Sequence, residues 1–194
     1  MKLEHLRSRS SGSCRIKVNN TEAICSVNGP SDTTSSTQLL DRCYVTTSVF
    51  SADKTYPELE SLLTSFFTQC VAVYRYPRCT VDMSFHITHN DGSLLSTLIN
   101  GGLCSLLLAG ISLLRVTPCV SFAVTESSFH ADPNTSVEHH SNCIVNIAPT
   151  DDDKLVFLDI KGNFFDGKLV EIVDAAKQLS FHLQTQIKKF LIKK

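Results

Sequence analysis

The stretch Asp91–Arg115, DGSLLSTLINGGLCSLLLAGISLLR, decides the fold, because no charged residue occurs between positions 92 and 114. A charge-free run of more than about 18 residues is typical of a transmembrane helix. Here Ser, Thr and Asn side chains interrupt the apolar surface, Gly101-Gly102 and Gly110 lower the helix propensity, and no aromatic belt flanks the run. We therefore predict a buried helix, with a membrane-anchored protein as the alternative hypothesis.

The predicted helix runs from about Leu94 to Ala109, with Gly110 as its C-cap. Asp91 and Ser93 supply hydrogen-bond acceptors near its N-terminus. A helix that is apolar on every face needs a packed layer on each side. The segment therefore predicts an α/β fold with a substantial core.

The sequence on both sides of this helix predicts alternating strands and helices. Two apolar runs, Cys14–Val18 and Glu22–Asn28, flank Asn19-Asn20 and are typical of a β-hairpin. Gly29-Pro30 is predicted to stop the second strand before a polar loop, Ser31–Gln38. Further strands are predicted near Cys43–Phe50, Cys79–Thr88, Leu113–Thr125, Cys143–Ala148 and Leu155–Ile160, and amphipathic helices over Glu58–Val73 and from about Asp166 to the end.

Length and composition indicate one domain over residues 1–194, with a frayed start at 1–13. The charges of the 18 basic and 19 acidic residues nearly cancel, which argues against a protein that binds nucleic acid over its whole surface. The eight cysteines lie mostly among apolar residues, so we expect reduced thiols in the nucleus or cytoplasm. No CxxC pair or ligand-spaced histidines occur, so we expect no metal and no cofactor.

Five motifs along the chain together resemble one known protein family. They are NNTEAICSVNGP at 19–30, YPRCTVDMSFHIT at 76–88, NDGSLLSTLINGGLCSLLLAGISL at 90–113, ADPN at 131–134 and DIKGNFFDGKLVEIVDAAKQ at 159–178. On these residues the chain resembles an RNase PH-like subunit of the eukaryotic RNA exosome ring. The resemblance implies an α/β (α+β) fold of the ribosomal protein S5 domain 2-like type, with mixed sheets, two central helices and a long C-terminal helix.

The resemblance also implies a degenerate phosphate site. Active members of the family hold the attacking phosphate with a Gly-Thr-Arg element after an Asp-Gly pair. In this sequence Ser93, Leu94 and Leu95 stand at those three positions. Two leucines give a phosphate no counter-charge and no bidentate donor.

The catalytic carboxylates and the substrate-path arginines of the family are also altered. Counted from Asp132, the two acidic positions fall on Glu138 and Ile144, so one carboxylate is kept and one is lost. The family's arginines on the preceding helix fall near Ser61 and Ser65. The resemblance therefore implies a catalytically inactive member with no catalytic residues.

Other polar residues have competing interpretations. Arg75, Arg78 and Arg115 are candidate RNA contacts or ordinary surface arginines. His139-His140 beside Glu138 could suggest a metal or acid/base cluster, but we expect a solvated loop. Asp151-Asp152-Asp153 is expected to be a polar hairpin turn.

The first hypothesis is a non-catalytic structural subunit of the exosome core ring that supports ring assembly and RNA channelling for 3′-to-5′ RNA processing and degradation. The resemblance implies sibling RNase PH-like subunits, S1/KH cap subunits and RNA in the ring channel as partners, and the nucleus, nucleolus and cytoplasm as locations. The second hypothesis is an active exoribonuclease or a DNase homodimer that uses Glu138.

Overall fold

The computed structural model of the protein describes residues 1–32, 39–51, 56–125, 128–150, 152, 154–163 and 168–192. The elements of these ranges follow in chain order. They are β1 (Lys2–His5), β2 (Gly12–Val18), β3 (Thr21–Asp32), β4 (Tyr44–Phe50), α1 (Pro57–Cys70), a 3₁₀ turn (Val73–Arg75), β5 (Cys79–His89), α2 (Leu94–Leu108), β6 (Val120–Val124), β7 (Phe129–Ala131), α3 (Thr135–His140), β8 (Cys143–Pro149), β9 (Leu155–Gly162) and α4 (Leu169–Ile192).

Two sheets and the helices between and outside them form the layers. The first sheet has the strand order β1-β2-β3-β5-β4 and is mixed, because β4 runs parallel to β5 while the other pairs are antiparallel. The second sheet has the order β7-β6-β8-β9 and is antiparallel. Helices α1 and α2 pack in the larger core with the inner face of the first sheet, and α4 covers the outer face of the second. The mixed α/β fold class is confirmed.

The body of α2 is buried on every face, and side chains of β3 and α1 approach its backbone closely at two glycines. A Cβ atom added to Gly101 would lie 2.5 Å from the Cys25 sulfur, and one added to Gly102 would meet the Phe67 ring. Only glycine fits at these two positions between β3 and α1. The two glycines that lower helix propensity are therefore used for packing.

Buried polar groups of α2 are paired with backbone groups of neighbouring segments. The Asn100 side-chain amide donates to the Cys119 carbonyl at 2.8 Å and accepts from the Cys119 N–H at 2.9 Å. The Ser105 hydroxyl donates to the Cys25 carbonyl at 2.9 Å. These bonds join α2 to both sheets. A buried amide must be satisfied in this way, since an unpaired one costs about 1–3 kcal/mol.

Helix α2 ends where the sequence predicted. Gly110 has a φ of +73°, its N–H donates to Leu107, and the Ile111 N–H donates to Leu106. This pair of bonds is a Schellman motif, which a left-handed glycine closes. The helix has 15 residues, and within the described ranges no helix combines the length and apolarity needed to cross a membrane.

Three sequence predictions for the sheets are wrong. Residues 1–13 are not frayed throughout, because Lys2–His5 pairs with β2 as an edge strand. Strand β3 continues past Gly29-Pro30 to Asp32, since the proline sits at a register irregularity where no ladder donor is needed. The strand predicted from Leu113 begins only at Val120, because backbone groups before it bond to α1 and α4 instead.

Two short elements were not predicted, and one predicted loop lies mostly outside the described residues. Strand β7 has three residues, and α3 has six residues that include the expected loop at His139-His140. Asn134 caps α3 by accepting from the Val137 N–H at 3.0 Å. Positions 33–38 of the polar loop lie outside the described ranges.

Strand β9 forms the outer edge of the second sheet. It pairs with β8, and within the described residues its other edge carries no strand. Three of its apolar side chains are between 37% and 42% exposed. They are Leu155, Leu158 and Ile160.

Candidate functional site

A cavity of about 410 Å³ lies at the N-terminal end of α2. The first turns of α1 and α2, the short helix α3 and the inner face of the second sheet surround it. The structure brings all five degenerate positions to this cavity. The lining residues include Ser93, Leu94, Leu95, Glu138 and Ile144, together with Tyr56, Pro57, Glu58, Leu59, Asn90, Ser121, Asn146 and Lys161.

The two loops at the rim touch through their backbones. Gly92 has a φ of +90°, and a Cβ atom there would lie 2.5 Å from the Pro133 carbonyl oxygen. The Thr135 N–H donates to the Asp91 carbonyl at 3.1 Å. Position 92 must therefore be glycine for two reasons, its left-handed backbone and the close approach of the 133–135 segment.

The β2–β3 hairpin holds both rim loops. The Thr21 hydroxyl accepts from the Asp91 N–H at 2.9 Å and donates to the Gly92 carbonyl at 2.6 Å. The Asn20 amide donates to the Asp91 carboxylate at 2.9 Å, and this hydrogen bond lowers the pKa of Asp91. The Asn19 amide donates to the Asp132 carbonyl at 2.9 Å. The turn residues of the hairpin thus fix the loops that lead into α2 and α3.

Glu138 faces the N-terminus of α2. Its carboxylate accepts from the Ser93 N–H at 2.7 Å. The Ser93 hydroxyl donates to the Pro133 carbonyl at 2.8 Å and is buried. A helix N-terminus attracts anions through its free N–H groups and its dipole. In this chain a carboxylate of the protein itself takes the N–H at that position.

The cavity walls carry little positive charge. Leu94, Leu95 and Ile144 supply apolar surface, and Glu58 and Glu138 supply carboxylates. Lys161 is the one cation among the lining residues in the described part of the chain. An anion entering the cavity would therefore meet more negative than positive charge.

Lys161, Asn146 and Ser121 are lining residues that the sequence analysis missed. Lys161 lies opposite Ile144 in the β8–β9 ladder, and Asn146 lies opposite Asp159. Because side chains two apart on a strand share a face, counting by twos from Ile144 would have found Asn146, whereas Ser121 and Lys161 lie on other strands and depend on the register between strands. The Ser121 hydroxyl is fully buried and has no hydrogen-bond partner within the described residues.

The three candidate RNA-contacting arginines lie at the opposite end of α2. Arg75 donates to the Ser112 hydroxyl at 3.3 Å, just beyond the helix C-terminus. Arg115 lines a second cavity of about 580 Å³ beside Leu107, and Arg78 precedes the start of β5. A helix of 15 residues spans about 22 Å, so the structure does not bring these arginines to the first cavity.

The remaining candidates lie outside the cavity. Ser61 and Ser65 are on the exposed face of α1. His139 and His140 are exposed at the end of α3, and the structure groups no three metal-ligating side chains within the described ranges. Of the three consecutive aspartates only Asp152 is described, and it lies in a turn between β8 and β9.

Comparison with known proteins gives the family. The model of the 3′ exoribonuclease family, domain 1 (RNase PH), matches residues 1–112, which is more than half of the chain. The chain belongs to the RNase PH family. The match covers both rim residues 91–92 and the whole of α2, so the helix that decided the fold is a family element.

Named relatives and solved structures agree with this assignment. The Schizosaccharomyces pombe exosome complex component rrp46 is 26% identical over 95% of this chain and 85% of its own length. The crystal structure of rice Rrp46 has a TM-score of 0.85, 19% identity and covers 96% of this chain and 94% of that one. An Archaeoglobus fulgidus exosome with RNA bound to the active site has a TM-score of 0.78, 15% identity and 95% and 87% coverage.

The sequence also predicts which member the chain resembles. The motifs ADPN at 131–134 and FLDIKGNF at 157–164 are most similar to ribosomal RNA processing protein 46. Proteins of that name occur among both the relatives and the solved structures, beside a relative named ski6. The recognition of an exosome-type RNase PH protein is confirmed.

Proposed function

We propose that the chain is a non-catalytic structural subunit of an RNA exosome core ring. The observation that carries this proposal is the Glu138 carboxylate on the Ser93 N–H, with Leu94 and Leu95 beside it. Phosphorolysis needs a phosphate at a helix N-terminus with a positive counter-charge. In this chain the Glu138 carboxylate occupies the N-terminus of α2. Among the described residues that line the cavity there is no arginine.

Electrostatic repulsion from Glu138 opposes the binding of phosphate at the N-terminus of α2, and the family reaction needs that phosphate. Two like charges about 4 Å apart repel by about 4 kcal/mol near a protein surface, a factor of about 1,000 in affinity. Lys161 lies on β9 and not in the first turn of α2, so it does not replace the missing arginine. We infer that the cavity does not activate phosphate.

The proposed partners are sibling RNase PH-like subunits, S1/KH cap subunits and RNA in the ring channel. Support comes from the relatives, which are named as exosome components, and from the likeness of the fold to exosome core structures. We propose that the subunit works in rRNA processing and RNA turnover in the nucleus, nucleolus and cytoplasm. Isolated copies are proposed to form a homodimer.

The first test is reconstitution of the ring with and without this chain. We expect that the sibling subunits fail to close the ring in its absence, as measured by native mass spectrometry. Affinity purification of the tagged chain from its own cells should recover the same siblings. A ring that assembles normally without the chain would refute the structural role.

The second candidate function is an active nuclease, and one observation favours it: Glu138 and Lys161 line the same cavity and could act as a general acid and a substrate contact. Purified chain with labelled RNA, labelled DNA, phosphate and divalent metal tests it. Activity of the chain alone that is lost in Glu138→Gln would establish the enzyme. No activity alone, with activity in the purified complex, would support the structural subunit.

A further inference from the structure

A pair of cysteines lies where two neighbouring parallel strands begin: Cys43 directly precedes β4, and Cys79 is the first residue of β5. Strand β4 pairs with β5 in parallel register, with Tyr44 opposite Thr80 and Val45 opposite Val81. Extended by one residue, this register places Cys43 opposite Cys79. Both residues are free cysteines and both pack in the larger core.

The two side chains lie on one face of the sheet. Val45 and Val81, two residues further along each strand, are both buried in the core. Side chains two apart on a strand share a face, so Cys43 and Cys79 point to the same side as these valines. Adjacent strands are about 4.8 Å apart, which is within the Cα separation of about 4.4–6.8 Å that a disulfide bridges.

The pair differs in exposure. Cys43 is 2% exposed, whereas Cys79 is only partly buried. Burial, with smaller contributions from Cys79 and Asp82 on β5, raises the pKa of Cys43 to about 11. An oxidant from solvent therefore reaches Cys79 first, and Cys43 is held as a protonated thiol beside it.

We propose that Cys43 and Cys79 form a reversible disulfide that responds to low-molecular-weight disulfides such as oxidised glutathione. The Cys79 thiolate attacks one sulfur of oxidised glutathione, and the glutathione disulfide bond breaks to leave a mixed disulfide and one glutathione thiolate, which takes up a proton. Cys43 loses its proton to solvent and attacks the Cys79 sulfur, and the second glutathione leaves. Two protein thiols are oxidised and one glutathione disulfide is reduced to two thiols.

The geometry makes this bond labile. Adjacent strands are about 4.8 Å apart, and the Cβ atoms of a disulfide are about 3.5–4.5 Å apart, so the two strand starts must close by about 1 Å. Cys43 precedes the first ladder residue of β4, and its N–H donates to the Val73 carbonyl at 2.9 Å and not to a strand. A strained disulfide has a higher reduction potential than a structural one and is readily reversed by thiols.

A second cysteine pair provides a built-in control. Cys14 and Cys25 are opposite each other in the antiparallel β2–β3 ladder, but they are 0% and 1% exposed. Their sulfurs lie against α2, where Cys14 donates to the Gly101 carbonyl at 3.2 Å. Their register would allow a disulfide, but their burial prevents an oxidant in solvent from reaching either sulfur. We therefore expect the buried Cys14–Cys25 pair to stay reduced under conditions that oxidise Cys43 and Cys79.

The test incubates the folded, reduced chain with oxidised glutathione, then alkylates it under denaturing conditions and maps it by mass spectrometry. We expect the wild type to lose two hydrogens and to yield one linked peptide pair joining positions 43 and 79. Cys43→Ser should accumulate glutathione on Cys79, and Cys79→Ser should stay reduced. The other six cysteines should remain fully alkylated. Dithiothreitol should reverse the linkage.

The pH dependence of the second step is a further readout. Because the Cys43 pKa is about 11, its thiolate fraction and the rate of disulfide closure should rise about tenfold for each pH unit between pH 7 and 9. A linkage at Cys14–Cys25 formed at an equal rate, or no linkage at any pH, would overturn the proposal. If Cys43→Ser is misfolded by circular dichroism, Cys43→Ala takes its place, and the wild-type peptide map decides independently.

Discussion

Helix α2 has two regions that meet different constraints, its body around Asn100–Ser105 and its N-terminal end at Asp91–Leu95. In the body the Asn100 and Ser105 side chains are hydrogen-bonded to neighbouring backbone groups, and the Phe67 ring fills the space that a side chain at Gly102 would need. At the N-terminal end the loop is held by backbone groups, by Thr21 and Asn20 of the hairpin and by the Glu138 carboxylate. The Leu94 and Leu95 side chains make none of these hydrogen bonds, so the residues at these two positions can change while the bonds that hold the loop are kept.

The largest expected difference comes from buried amides in the two regions. Asn100→Ala removes both hydrogen bonds to Cys119 and leaves a buried N–H and carbonyl unpaired. We expect it to lower the free energy of unfolding by about 3 kcal/mol. Asn146→Ala at the cavity loses one 3.3 Å bond to Asp159 and should cost about 1 kcal/mol. Urea unfolding measures both, and equal losses would contradict the comparison.

The next largest difference separates two glycines of the same helix. Gly102→Ala places a methyl group against the Phe67 ring and near Met83, which should cost about 2 kcal/mol through overpacking. Gly110→Ala meets no atom within 4 Å, so only its left-handed backbone is strained. That strain should cost about 1 kcal/mol. Thermal unfolding checks the order, and a larger effect at Gly110 would be evidence against close packing of the α2 body.

Glu138→Gln tests the N-terminal end directly. Loss of the negative charge weakens the bond to the Ser93 N–H and should lower the free energy of unfolding by about 0.5 kcal/mol. The variant should also gain stability from added phosphate at constant ionic strength, because ligand binding to the folded state raises the melting temperature. Glu58→Gln, which keeps the Glu138 bond, is the matched control. A phosphate effect as large in the wild type would contradict the proposed block.

An effect as small as that of Glu138→Gln is expected at Asp132 on the rim. Burial raises the pKa of this carboxyl, so the folded state holds the proton more tightly than the unfolded state and loses stability as the pH rises through that raised pKa. Asp132→Asn should therefore stabilise the protein by about 0.5 kcal/mol at neutral pH. At a pH below the ordinary pKa range of carboxyl groups it should have no such effect. Asn also tolerates the φ of +50° at this position. A stabilisation that is constant with pH would exclude the burial explanation.

Much of the scaffold could be predicted from the sequence because long apolar periodic segments dominate it. The bounds of α2 follow from the charge-free run and Gly110, the β2–β3 hairpin follows from the Asn19-Asn20 turn, and the presence of the long α4 follows from its apolar periodicity. The short α3 could not be predicted, since its six residues have no buried face and depend on the Asn134 cap. The extended segment before Val120 was misassigned because β-branched residues favour strands even where α1 and α4 satisfy the backbone.

The cavity was predicted less completely than the scaffold. The resemblance pointed to Ser93, Glu138 and Ile144, and the structure places all three around one space. The bond from the Ser93 N–H to Glu138 joins residues 45 positions apart, so no local pattern reveals it. Lys161 was missed for the same reason, because strand register across β8 and β9 is a tertiary property.

The open edge of β9 has a consequence for the abundance of the protein. Within the described residues no strand pairs with the outer edge of β9, so the backbone next to Leu155, Leu158 and Ile160 forms a template on which further strands can add. A copy made in excess of its neighbours keeps this template exposed and self-associates as its concentration rises. We therefore expect the soluble amount of this chain to rise with the amount of partner subunits produced in the same cell.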